Sequence, residues 1–131
     1  MAVKYVLDTS AVSAFNRGDA RLQSWINVQH EIIVPLVVVG ELRAGFAAGA
    51  RQQVNESLLR RFLDTAHVSV VTISDATTVF YADIFAALRR KGRPINVNDM
   101  WIAALALEHN CPVLTLDSDF AHVPALELIR F

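Results

Sequence analysis

The chain has 131 residues, 53% hydrophobic and 19% charged, with a formal net charge of −1. That length suits one domain over residues 1–131 that buries its core without disulfides, and the single cysteine, Cys111, leaves none to form. The charge balance excludes a generic basic nucleic-acid coat. It leaves room for a nuclease whose acidic cluster is neutralised by divalent cations.

A mean hydropathy of +0.35 points to strands buried on both faces and to apolar surface covered by a partner. No apolar run approaches the ~20 residues that span a bilayer. The start of the chain lacks the three zones of a signal peptide, so the cytoplasm is the expected location.

In chain order, Val3 to Leu7 is an apolar run that stops at Asp8, the first strand. Thr9 to Asn16 reads as a short helix ended near Gly18, and Asp19 caps a second helix running to Gln29. Ile32 to Val34 is the second strand, closed by Pro35. Val37–Ala48 and Arg51–Ala66 follow as helices, the latter with Val54, Leu58, Leu59 and Phe62 on one face. Val68 to Ile73 is the third strand. Ser74 or Asp75 caps a helix that ends in Arg89, Arg90, Lys91 and Gly92, cations and glycine where a helix C-terminus favours them. Asn98 or Asp99 opens a helix over Met100–His109. Val113–Leu116 is the fourth strand, Asp117–Ala121 a turn or short helix, and Leu126–Arg130 a fifth strand. Short apolar strands separated by helices predict an α/β fold with a central parallel sheet covered on both faces.

Ligands of such a sheet collect beyond the carboxyl ends of its strands. Asp8 and Asp117 stand at two such ends. Glu41 and Asp99 lie inside the apolar stretches Leu36–Leu42 and Met100–Ala106, where a lone carboxylate costs several kcal/mol unless it is paired or bound to a metal. Four acids in one pocket repel and raise one another's pKa unless a cation sits between them. A hard ion with oxygen ligands, Mg²⁺ or Mn²⁺, resolves this, and such a site suits phosphodiester hydrolysis by a metal-activated water. His30, His67, His109 and His122 show no metal-ligand spacing, which disfavours zinc. From position alone, Asp8, Asp99 and Asp117 are equally placed to be helix N-caps, and Glu41 to lie on a solvent face.

At these residues the sequence resembles the PIN-domain family, and within it the VapC toxins of toxin–antitoxin pairs. The segments are Tyr5-Val6-Leu7-Asp8-Thr9-Ser10, Gly40-Glu41-Leu42, Asn98-Asp99-Met100-Trp101-Ile102-Ala103-Ala104 and Leu114-Thr115-Leu116-Asp117-Ser118-Asp119-Phe120. The resemblance implies a three-layer α/β/α sandwich around a parallel sheet of about five strands. It implies Mg²⁺- or Mn²⁺-dependent cleavage of RNA, transfer or ribosomal, by a homodimer held in check by a small antitoxin. It makes Asp8, Glu41, Asp99 and Asp117 the metal-binding acids, with Thr9, Ser10 and Thr115 as supporting hydroxyls and Asp119 as a structural acid or an auxiliary ligand.

Arg89, Arg90, Lys91 and Arg93 form the one dense basic patch, either a plain helix end or a phosphate contact beside the site. Arg43 either balances the acids, touches RNA or lies on the surface. Trp25 and Trp101 read as core. The absence of Gly-rich nucleotide loops and of a Gly-x-Ser-x-Gly motif removes several enzyme classes. A non-catalytic PIN-like interaction module and a structure-specific DNA nuclease are the competing readings. An antitoxin is expected in a groove near Val37–Ala48 and Arg51–Ala66, with Leu58 and Phe62 as contacts.

Overall fold

The computed structural model describes residues 3–27 and 30–130. Its elements in order are β1 (Lys4–Leu7), α1 (Thr9–Asn16), α2 (Ala20–Asn27), β2 (Glu31–Pro35), α3 (Leu36–Ala48), α4 (Gln52–Leu63), β3 (Val68–Val71), α5 (Asp75–Lys91), α6 (Val97–Glu108), β4 (Val113–Thr115), a 3₁₀ helix (Ser118–His122) and β5 (Leu128–Arg130). The strands form one all-parallel sheet in the order β3-β2-β1-β4-β5.

Right-handed crossovers dictate where the helices go. The chain steps from β1 to β2 to β3 in one direction, which puts α1–α4 on one face of the sheet. It then passes back across β2 and β1 to reach β4, which puts α5 and α6 on the other. The strand order therefore reverses between β1 and β4, and a crevice opens beyond their carboxyl ends. The central strands read as near-continuous apolar runs because both faces are covered: Tyr5, Val6, Leu7, Val113 and Leu114 are all fully buried. α6 is just as enclosed, with Ile102 through Ala106 fully buried. It is the helix that carries Asp99.

Several element ends differ from the sequence reading for local reasons. β3 stops at Val71 rather than Ile73 because its partner β2 ends at the paired residue Pro35 and turns into α3. The Ser74 amide then donates to Thr77 Oγ1 at 3.0 Å, starting α5. α4 ends at Leu63, and Asp64 and Thr65 turn back onto the Arg60 and Phe62 carbonyls, so Ala66 lies outside it. β5 is shortened to Leu128–Arg130 by a turn in which Ala125 takes φ 64°. The second helix is described as far as Asn27, capped by Asp19 as expected, and Gln29 lies outside the described residues. Trp25 and Trp101 are half-buried rather than fully enclosed; Trp25 packs edge-on to Tyr5, and Trp101 stacks on Tyr81 at 3.9 Å.

Candidate metal centre

Asp8 ends β1 and caps α1. It is 3% exposed. Its carboxylate accepts from the Ala11 amide at 2.9 Å, from the Ser10 hydroxyl at 2.8 and 2.9 Å, and from the Thr115 hydroxyl at 2.5 Å. Those donors favour the ionised form, yet burial dominates and raises its pKa above the ordinary value. Thr115 is itself fully buried at the end of β4 and accepts from the Asp117 amide at 2.8 Å. One hydroxyl thus ties the end of β4 to the carboxylate at the end of β1. Ser10 does the same from the other side, accepting from the Leu116 amide at 3.1 Å.

Asp117 caps the 3₁₀ helix and accepts from the Asp119 amide at 2.9 Å. The capping and metal readings of Asp8 and Asp117 are therefore compatible: each carboxylate caps with one oxygen, and its acceptor capacity is not exhausted by the cap. Glu41 sits half-buried on the second turn of α3, where it accepts from the Thr9 hydroxyl at 2.7 Å.

Asp99 corrects the sequence reading. Asn96, not Asn98 or Asp99, caps α6, accepting from the Asn98 amide at 2.8 Å. Asp99 falls in the first turn with no capping duty. Its pKa is pushed up to about 6, first by burial, then by Asp117, Glu41, Asp8 and Asp119. All four acids thus act on it electrostatically. Asp99, Asp117 and Asp119 each offer a carboxylate oxygen, and the three oxygens lie within 4.8 Å of one another. Asp119 therefore belongs to the cluster more fully than its place after a turn suggested. The Asp-x-Asp pattern behind a strand end was the available signal.

None of the ion pairs among the described residues reaches this cluster. Arg43 does not balance it. Its guanidinium is held by Glu56 on α4 at 3.0 and 2.9 Å, and Arg60 joins the same carboxylate at 3.3 Å. The basic patch touches an element of the site: Lys91 donates to the carbonyl of His122, the last residue of the 3₁₀ helix, at 2.9 Å.

Residues 5–126 match the family model of the PIN domain. The chain belongs to the PIN-domain family. Within it, Ribonuclease VapC5 of Mycobacterium tuberculosis is 30% identical over 128 residues, covering 95% of this chain and 93% of that one. This PIN domain also superposes on a chain of VapBC2 from Rickettsia felis, solved bound to a DNA fragment from its promoter, with a TM-score of 0.89 at 25% identity over 98% of this chain and 99% of the other. VapBC-5 from Mycobacterium tuberculosis, a toxin–antitoxin system, gives 0.76 at 29% identity over 98% and 99%. The PIN-type α/β sandwich expected from the sequence is the fold observed. Its acids gather at the crevice that the sheet order creates.

Proposed function

We propose that this chain is a divalent-metal-dependent endoribonuclease and the toxin of a toxin–antitoxin pair. The observation that carries the reading is the setting of Asp99: a half-buried, helix-borne carboxylate with an oxygen within 4.8 Å of those of Asp117 and Asp119, and no ion-pair partner among the described residues. The donor set fits a hard ion, since it is made of carboxylate oxygens backed by hydroxyls. Asp8, Asp99 and Asp117, with Glu41 and Asp119 beside them, would hold Mg²⁺ or Mn²⁺. A bound ion supplies charge neutralisation and a lowered pKa for the attacking water.

The chain's own part is positioning. Thr115 and Ser10 fix the Asp8 carboxylate, and Thr9 fixes Glu41, so the acids are held in place before substrate arrives. The acids would also repel an RNA phosphate in the absence of the ion, so substrate binding and ion binding should be linked.

The relatives' names support RNA as substrate, and the toxin–antitoxin neighbours support an antitoxin partner; the homodimer rests on the family resemblance alone. A groove of about 330 Å³ between α1, α3 and α4, with Leu42, Phe46 and Leu58 in its walls, is where we place the antitoxin. Leu58 lines that groove, whereas Phe62 is 3% exposed in the core, so only Leu58 is a usable probe.

The test is expression of the chain and of Asp99→Asn in a bacterium at equal protein levels, with growth followed and RNA 5′ ends mapped. The reading expects growth arrest and new, discrete 5′ ends for the unmodified chain alone. Equal toxicity of both proteins would overturn it. Harmlessness of both would favour a non-catalytic module, and cuts in DNA instead of RNA a DNA nuclease.

A further inference from the structure

We infer that the cleft between the end of α5 and the start of α6 is a nucleotide pocket, which takes an unstacked RNA base next to the scissile phosphate while Arg89 at its edge, with Arg90 and Arg93 in the same turn of chain, holds the neighbouring backbone. The inference rests on the ribonuclease reading and adds to it where the substrate lies.

The cleft has a volume of about 240 Å³, walls of Phe85, Leu88, Pro94, Ile95 and Met100, and Arg89 at its edge. Leu88 and Met100 are buried and form its base, while the Phe85 ring stands 46% exposed at the mouth. An aromatic face left in water beside an apolar slot is a platform for a nucleobase, which every nucleotide supplies alongside its phosphate.

The charges agree. Arg21, Arg43 and Arg60 each pair with a carboxylate, but Arg89, Arg90 and Arg93 join no ion pair among the described residues. Gly92 takes φ 64°, and the Arg93 amide returns to the Leu88 carbonyl at 3.0 Å, which holds the backbone of Arg93 against the last turn of α5. Cations in a last helical turn are often explained by the helix dipole alone. That explanation covers neither Arg93, which lies beyond the helix, nor the exposed Phe85 beside it.

Two connections tie the cleft to the elements that carry the acids. Met100 in its floor directly follows Asp99 on α6. Lys91 bonds to the last carbonyl of the 3₁₀ helix that carries Asp119 and is capped by Asp117. Arg89 on the edge of an apolar slot, with Arg90 and Arg93 in the same turn of chain and no ion pair to any of them among the described residues, matches a nucleotide better than an apolar protein surface, which would leave these cations unpaired.

The experiment measures anisotropy of a labelled, mixed-sequence single-stranded RNA bound to the Asp99→Asn chain, so that binding is read without cleavage. Phe85→Ala is expected to weaken binding at least about fivefold, and Phe85→Tyr to restore it. Arg89→Gln with Arg90→Gln and Arg93→Gln is expected to flatten the slope of log K against log salt by about 0.7 for each phosphate that is no longer neutralised. The control Lys4→Gln with Arg51→Gln and Arg61→Gln, equal in charge but remote, is expected to change it less. Unchanged RNA binding in Phe85→Ala and in the arginine triple would overturn the pocket while leaving the nuclease intact. So would a change confined to oligomeric state or antitoxin binding. No RNA binding by the Asp99→Asn parent at low salt would overturn the pocket, and no RNA cleavage by the unmodified chain would overturn both.

Discussion

Burial disfavours the ionised form of Asp99 and four other carboxylates add to the effect, so its ionisation costs the folded state something the unfolded chain does not suffer. The sign follows from its pKa of about 6 against an ordinary 3.8. Between those values the folded chain keeps a proton that the unfolded chain has released, so metal-free stability should fall as pH rises from about 4 to about 6. Asp8, also raised, acts in the same direction. Asp99→Asn should flatten that fall and leave the metal-free chain more stable at pH 7 by on the order of 1 kcal/mol, the partial exposure of the site damping the effect. Thermal melts in EDTA across this range check it, and an Asn variant less stable than its parent at pH 7 would contradict it. Thr115 is the other decisive residue, because it donates to Asp8 and accepts from the Asp117 amide. Thr115→Val keeps the shape and removes both bonds. It should cost about 1–3 kcal/mol in urea melts and weaken Mn²⁺ binding about 10- to 100-fold in a calorimetric titration.

At the scale of elements, the strands and the long helices were legible because their apolar spacing is regular. The ends were less so, and the ends are what position the site. The start of α6 turned on Asn96, whose capping strength equals that of Asn98 or Asp99 in sequence, so spacing alone did not choose among them. The choice matters: capping by Asn96 frees Asp99 for the crevice. Asn96→Ala should therefore cost about 0.5–2 kcal/mol of stability and also lower metal affinity, whereas an unaltered Mn²⁺ titration would separate the cap from the site. Asp8, Glu41 and Asp117 were identifiable as strand-end or misplaced buried acids. Spacing did not show their convergence, which the family resemblance alone implied, because it depends on β1 and β4 being neighbours, a pairing of residues more than a hundred positions apart. The Arg43–Glu56 pair was hidden for the same reason: nothing in the sequence separates an arginine that serves an acidic site from one that ties α3 to α4.

At the scale of the molecule, the sheet order places the acids at one crevice, the basic turn of α5 on one side of it and the groove of α1, α3 and α4 elsewhere on the surface. A partner seated in that groove through Leu58 should be lost on Leu58→Asp with cleavage by the free chain retained, as read by co-purification and by RNA assay of the same preparations. The most direct test of the whole account is cleavage of RNA by the purified, partner-free chain, followed with and without EDTA. The account expects cuts at discrete positions that EDTA abolishes, that Mn²⁺ or Mg²⁺ restores, and that Asp99→Asn lacks under every condition. Cleavage that persists in EDTA, or that survives Asp99→Asn at the parental rate, would show that the carboxylate ring is not the engine of this protein.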